Sequence, residues 1–308
     1  MRRLRLEDLP SVEEPLALAL GVFDGIHLGH QEVMARAKTQ AGAAGGLAGV
    51  VTFEPHPVQV LAPERAPRRL LASLAHKERL LAELGLDLMV VVAFDEEFAA
   101  REAEDFLAQL AQAPRLRALA MGQDWRFGKE RRGNVALLEK FGQEQGVAIE
   151  AVPAVMKAGE RISSTRIRQA LRDGNLAAAE EMLGRQYSIL GTVSQGRQLG
   201  RTLGFPTANV VPQGEQLPPD GVWVVQTRTD GEAWRGGVAN LGHRPTLEAE
   251  EERVLEVHLL DWQGDLYDQE LEVRFLRQLR PEQKFTGLDA LQKQIARDVA
   301  KARDYLAR

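Results

Sequence analysis

No cysteine occurs among the 308 residues, which excludes disulfides, thiolate nucleophiles and thiolate metal sites and gives no sign of an oxidising compartment. Also missing is any run approaching the roughly 20 apolar residues needed to cross a bilayer. The apolar stretch from Leu16 to Leu20 is too short for a secretory core, and Glu7, Asp8, Glu13 and Glu14 precede it. A cytoplasmic protein with no membrane partner is the expectation. Neither sign of charge dominates: the formal net charge of -5 argues against a surface for nucleic acid, yet leaves room for basic clusters that hold single phosphates. No repeat or low-complexity tract is visible. What remains is an ordinary globular composition, 44% apolar and 27% charged. A chain this long exceeds the size at which one core stops growing, so two domains are expected.

The pattern changes once along the chain. From residue 16 to about 183, short apolar runs (16–22, 47–53, 87–94, 117–121, 148–153) alternate with amphipathic stretches (74–84, 96–112, 134–145), the grammar of a doubly wound, Rossmann-like parallel sheet with crossover helices. Residues 175–183 read as one more helix, stopped by Gly184. Beyond it, strands over 187–195, 221–229, 234–240, 253–262 and 266–276 are separated by turn pairs such as Asp230-Gly231 and Gly264-Asp265. These spell a small antiparallel β-barrel or sandwich, followed by a C-terminal helix over 288–306. The expected domains are 1–184 and 185–308.

The first chemical cluster follows the first apolar run: Gly21-Val22-Phe23-Asp24-Gly25-Ile26-His27-Leu28-Gly29-His30, with a helical pattern from about Leu28. A glycine-rich turn leading from a strand into a helix N-terminus offers backbone N–H groups and a helix dipole to phosphate. His27 and His30, three residues apart on a first helical turn, project to one side and can hydrogen-bond charge that builds on a phosphorus during displacement. A His-x-x-His pair by itself reads equally as two ordinary histidines at a helix start, and as a zinc site it lacks further ligands. The bracketing Gly21, Gly25 and Gly29 favour a nucleotide. Two standard motifs fail: Gly122 to Lys129 has one residue too many between its glycines for a P-loop, with Glu130 where Ser or Thr should stand, and the spacing of 21–29 is not the dinucleotide fingerprint. The second element, Ile162-Ser163-Ser164-Thr165-Arg166-Ile167-Arg168, sets three hydroxyls before a helix. It reads as a surface helix cap or as a second phosphate cradle in which hydroxyls and guanidinium grip a leaving pyrophosphate.

Together these two elements resemble the nucleotidyltransferases related to class I aminoacyl-tRNA synthetases. Thr52-Phe53-Glu54-Pro55-His56-Pro57 and Gly122-Gln123-Asp124-Trp125-Arg126-Phe127-Gly128 narrow the resemblance to the FMN adenylyltransferase half of the prokaryotic bifunctional riboflavin kinase/FAD synthetases.

In the second half, Gly200-Arg201-Thr202-Leu203-Gly204-Phe205-Pro206-Thr207-Ala208-Asn209 joins a glycine-spaced loop to a Pro-Thr-Ala-Asn segment. This is either a structural turn or a pair of oxygens, two residues apart in extended chain, facing a hard cation. Residues 255–261 alternate as a half-buried strand with Glu256, His258 and Leu260 on one face. Glu256 is a solvated strand residue or, beside a nucleotide, a proton acceptor. The segments 204–209, 239–246 and 256–261 are similar to those of the riboflavin kinase module, so the resemblance runs from about residue 14 to 304.

The resemblance implies roles. His27 and His30 would stabilise the transition state of adenylyl transfer. Gly21, Phe23, Asp24, Gly25 and Gly29, with Ser163, Ser164, Thr165, Arg166 and Arg168, would bind ATP and its phosphates. His56, Pro57, Asp124 and Phe127 would face the flavin. In the kinase half, Gly200 and Gly204 would approach phosphate, Thr207 and Asn209 would hold the magnesium of Mg-ATP, and Glu256 would be the general base. Riboflavin, FMN and ATP are then the partners, with FMN and FAD as products. Three departures stand out: Trp125 where Phe is usual, Leu247 where Phe often follows Pro-Thr, and Asp268 where Gly is common. The rivals are an adenylyltransferase with another acceptor and a flavin-sensing protein with decayed catalysis; the kinase-like half argues against the first and the intact key residues against the second.

Overall fold

The computed structural model describes residues 1–196, 199–244 and 252–308. The chain divides into two compact units, Met1–Leu70 with Leu74–Ser164, and Leu71–Ser73 with Thr165–Arg308.

The first unit is a six-stranded parallel sheet of β1 (Arg2–Arg5), β2 (Leu16–Leu20), β3 (Leu47–Glu54), β4 (Leu88–Ala93), β5 (Leu116–Gly122) and β6 (Ala148–Val152), in the order β1-β4-β3-β2-β5-β6. All five residues of β2 are buried, as a central parallel strand covered on both faces must be. The connecting helices are α1 (Leu28–Ala43), α2 (Pro57–Leu61), α3 (Leu74–Glu83), α4 (Glu96–Ala99), α5 (Ala103–Leu110) and α6 (Val135–Gln145). The single helix expected over 96–112 is therefore two. A continuous helix would set Phe98 and Phe106 about 12 Å apart along its axis. The break lets both rings meet Phe53, at centroid distances of 6.3 and 6.2 Å. Strand β1 was not expected from the sequence; it is an arginine-rich edge in which only Leu4 turns toward the core. A short antiparallel pair, β7 (Met156–Lys157) and β8 (Glu160–Arg161), follows β6.

The second unit begins in α7 (Ser164–Arg172) and continues through α8 (Leu176–Leu183). Asn175 caps α8, its Oδ1 accepting from the Ala178 amide at 3.0 Å, and Gly184 ends it in left-handed geometry at φ 70°. Six antiparallel strands then close a barrel: β9 (Ser188–Ser194), β10 (Ala208–Pro212), β11 (Gly221–Arg228), β12 (Arg235–Arg244), β13 (Glu252–Leu259) and β14 (Glu270–Arg280), in the order β10-β13-β12-β11-β14-β9. Closure, left open by the sequence between barrel and sandwich, depends on β10, which pairs with both β9 and β13. After the short α9 (Leu199–Thr202) precedes β10, the last helix, α10 (Leu288–Leu306), packs Ala302 and its neighbours on Val222, Val224 and Val238 of the barrel. Asp268 adopts φ 61°, so the left-handed turn expected of a glycine there is kept by an aspartate.

Glu215 is completely buried, and its two carboxylate oxygens accept from the amides of Ser73 at 2.8 Å and Leu190 at 2.6 Å. Truncation would strand two buried N–H groups. Glu215→Ala is expected to lower stability by about 3 kcal/mol, read as a shift in urea midpoint at unchanged slope. A midpoint equal to wild type would show that the two amides find other acceptors.

Candidate active sites

In the first unit the turn between β2 and α1 is strained: Phe23 has φ 53°, Gly25 81° and Ile26 43°. Positive φ at a β-branched residue is costly, and such strain collects where a site demands it. Gly21 has no Cβ because one there would lie 2.9 Å from the Phe23 ring. That ring meets His30 edge-on at 5.4 Å. His27 is the N-cap of α1, with its Nδ1 accepting from the His30 amide at 3.3 Å, and the two imidazoles stack at 3.6 Å. A Cβ on Gly29 would press on the His27 ring at 3.1 Å. The histidines thus lie together at a helix N-terminus, on one side, as their spacing requires. Asp24 is buried, and its carbonyl accepts from the Ser164 hydroxyl at 2.9 Å, so the Ile162–Arg168 segment begins against the glycine-rich turn. Ser163 directly precedes α7, while Thr165, Arg166 and Arg168 lie on that helix, within the second unit.

The residues expected to face a flavin occupy two loops. His56 caps α2 through Nδ1, accepting from the Val58 amide at 3.2 Å, and Pro57 is the first residue of that helix. Phe127 is buried in the aromatic core against Phe106 and carries Trp125 stacked on it at 4.6 Å, leaving Trp125 the more accessible of the two rings. Asp124 is gripped by Arg161 of β8. Hydrogen bonding from that guanidinium, helped by its charge, holds the Asp124 carboxyl below its ordinary value against the opposing effect of desolvation. A depressed folded pKa stabilises the pair above the unfolded value of about 3.9 and loses that contribution as pH falls through the folded value. The Asp124 carboxyl resonance is therefore expected to titrate below about 3.9 and to move back up in Arg161→Ala. An unchanged midpoint in the variant would assign the shift to another cause.

In the barrel, Glu256 on β13 stands directly across from Asn209 on β10 and Asn240 on β12, which puts the three on one face. A cavity of about 270 Å³ is lined by Gly200, Thr207, Asn240, Glu256 and His258 on its polar side, and by Phe205, Val222 and Phe285 among its apolar walls. A second cavity of about 460 Å³ is bounded by Val193, Ala208, Trp262, Asp265 and Tyr267. Thr207 and its loop stand on the wall of both. A Cβ on Gly200 would collide with the carbonyl oxygen of Phe205, so this glycine lets the loop fold onto itself. Gly204, at φ 84°, turns the chain just before the loop but lines neither cavity. Asn209 is buried at the head of β10. Among the described residues no group of three or more His, Cys, Asp or Glu is placed to hold a metal ion. Pro245, Thr246 and Leu247, the end of the 239–246 motif and one of the three departures, lie outside the described residues.

Several contributors to these sites escaped the sequence reading. Arg280 lines the smaller cavity and is anchored by Asp298, whose Oδ2 accepts from Nε at 2.9 Å while Oδ1 accepts from Gln294. Asp298 falls in register with Leu291, Ile295 and Ala302, so a carboxylate on the apolar stripe of α10 was the available signal. Lys77 of α3 carries the same signal, spaced three residues from Leu74 and Leu80.

Comparison with known proteins covers nearly the whole chain. A family model described as FAD synthetase matches residues 9–166, and one described as riboflavin kinase matches residues 183–306. The bifunctional riboflavin kinase/FMN adenylyltransferase of Escherichia coli K12 is 42% identical over 294 residues, 95% of this chain and 93% of its own. The enzyme of that name from Bacillus subtilis is 34% identical over 94% of this chain and 92% of its own. A crystal structure from Streptococcus pneumoniae, solved under the name macrolide-efflux protein, superposes with a TM-score of 0.83 at 30% identity over 98% of this chain and 99% of that one.

Proposed function

The chain belongs to the bifunctional riboflavin kinase/FMN adenylyltransferase family, and from that premise we propose how its residues divide the work, with the activities parted at 1–184 and 185–308. The enzyme phosphorylates riboflavin with ATP to FMN and then adenylates FMN with ATP to FAD. Efflux, the name given to the S. pneumoniae structure, finds no support here; among the described residues no helix is long and apolar enough to cross a membrane. The reading places the enzyme in the cytoplasm with its ATP supply.

The observation that carries the kinase assignment is the shared wall. Thr207 borders both barrel cavities, so a nucleotide in the larger one would present its terminal phosphate to an alcohol held in the smaller one beside Glu256. Glu256 accepts the proton of the riboflavin 5'-hydroxyl as its oxygen attacks the γ-phosphorus; the O–P bond to the β-phosphate breaks and ADP leaves. Apolar walls such as Phe205 and Val222 take the isoalloxazine ring. Gly200, on the wall of the smaller cavity, brings backbone close to the transferring phosphate, whereas Gly204 lines neither cavity and is left with the turn alone. The Thr207 hydroxyl and the Asn209 amide oxygen fit magnesium, which keeps several waters and substrate phosphates and needs few protein ligands. When bound, that ion neutralises charge on the transferring phosphate. Positioning and electrostatics supply most of the rate.

In the first unit an FMN phosphate oxygen attacks the α-phosphorus of a second ATP, and pyrophosphate leaves. No protein nucleophile is required. His27 and His30 hydrogen-bond the charge that develops on the α-phosphate oxygens, over a turn where Gly21, Phe23, Asp24, Gly25 and Gly29 bring the backbone close. Ser163, Ser164, Thr165, Arg166 and Arg168 hold the leaving pyrophosphate. His56, Pro57, Asp124 and the Trp125 face supported by Phe127 receive the flavin.

The test is a time course of purified protein with riboflavin and Mg-ATP, the flavins separated by chromatography. FMN appearing first and FAD second is the expected order. FMN without FAD contradicts the first assignment, and unchanged riboflavin contradicts the second.

A further inference from the structure

Lys77 lies on α3 with its side chain turned inward and is only 5% exposed. A buried ammonium is costly unless something repays the lost hydration. Its burial pushes the pKa below the ordinary lysine value, and the carboxylates of Asp24 and Glu54 act in the opposite direction. Its hydrogen bonds are specific. Nζ donates to the carbonyl of Val22 at 2.9 Å and to Oγ1 of Thr52 at 3.0 Å, while the Thr52 hydroxyl donates to the same Val22 carbonyl at 2.9 Å.

This closed triangle ties three elements, α3, β3 and the turn after β2, at one atom: the carbonyl oxygen that immediately precedes Phe23. From there the structure is continuous. Phe23 begins the positive-φ stretch, its ring rests edge-on against His30, and His30 stacks on His27. A strained turn persists only where its surroundings over-determine it. A non-polar residue at 77 would satisfy the apolar stripe of α3 better than a lysine does, so packing of the helix alone does not account for the charge.

We propose that Lys77 is a positioning residue for adenylyl transfer, clamping the Val22 carbonyl to Thr52 so that the Phe23 ring holds the His27–His30 pair where the α-phosphate charge develops. The inference rests on the adenylyl-transfer reading of the first unit. Lys77 acts through the turn and touches no reacting atom, so its loss should lower kcat for FAD formation and leave KM for ATP and FMN nearly unchanged. A small displacement of catalytic groups costs up to about a hundredfold in rate.

The experiment uses the full-length enzyme with two substitutions, Lys77→Met, which keeps the stem and removes the charge, and Thr52→Val, which keeps the shape and removes the hydroxyl. Each is assayed for FMN to FAD and, on the same preparation, for riboflavin to FMN. The expected result is a kcat for FAD formation lowered about a hundredfold in Lys77→Met and about tenfold in Thr52→Val. The double variant should be no worse than Lys77→Met alone, because both act at one carbonyl, and phosphorylation should proceed at the wild-type rate throughout. If Lys77→Met loses both activities and fails to fold, Thr52→Val decides: a wild-type kcat there overturns the proposal. A loss confined to KM, or strictly additive losses, also overturns it. Wild-type protein that makes FMN but no FAD would instead sink the adenylyl-transfer reading on which the clamp depends.

Discussion

Replacing Glu256 with Gln is expected to lower kcat for riboflavin phosphorylation about a thousandfold while leaving the adenylation of supplied FMN unchanged. Glutamine preserves the shape of the side chain and one acceptor oxygen, so the β13 ladder and the cavity should survive, but an amide cannot take the proton of the attacking hydroxyl. The position argues for a chemical rather than a structural role. Glu256 faces a cavity and stands across from two asparagines, Asn209 and Asn240. Steady-state rates on riboflavin and on FMN, measured with one preparation, separate this from unfolding. A variant phosphorylating within threefold of wild type would leave proton acceptance to another group.

The second large effect concerns His27, where two roles must be separated. Its imidazole caps α1 by accepting from the His30 amide and also stands at the glycine-rich turn proposed to bind the nucleotide. Alanine would remove both functions and cost about 1 kcal/mol in the cap alone. Asparagine is among the best N-caps, so His27→Asn keeps the helix start and removes the imidazole. FAD formation from FMN should fall between about a hundredfold and a thousandfold, the usual cost of losing one donor to developing charge, with phosphorylation intact. Near-normal FAD formation would reduce His27 to a helix cap.

The sequence disclosed most of the frame because strong periodic signals and stop residues mark it. Five parallel strands, the helix stopped by Gly184 and the long C-terminal helix all fall within a few residues of their expected places. Elements set by partners rather than by their own pattern were not legible. Strand β1 is polar and becomes a strand only because β4 offers an edge. Strand β10 hides in a segment whose Pro206 and Asn209 read as a turn, and it is extended because β9 and β13 flank it. The helix break after Ala99 answers to three phenylalanines converging from distant positions.

The sites show the same division. Motifs, read through the family resemblance, marked the histidines, the hydroxyl run, Thr207, Asn209 and Glu256 as candidates. Arg280 and Asp298 enter the smaller barrel cavity from a strand end and a helix, and nothing local to either residue reports the other. Lys77 and Asp298 share the one signal that could have found them, a charge placed on an otherwise apolar stripe.

The division of labour between two independent sites is the central claim, and a mixture of the two variants tests it most directly. Glu256→Gln and His27→Asn proteins would each be incubated with riboflavin and Mg-ATP, alone and combined, and FAD measured. The account predicts that neither variant alone reaches FAD at a significant rate and that the mixture does, because FMN released by His27→Asn is adenylated by Glu256→Gln. FAD formed at the wild-type rate by either variant alone, or a mixture that accumulates FMN without converting it, would contradict the account.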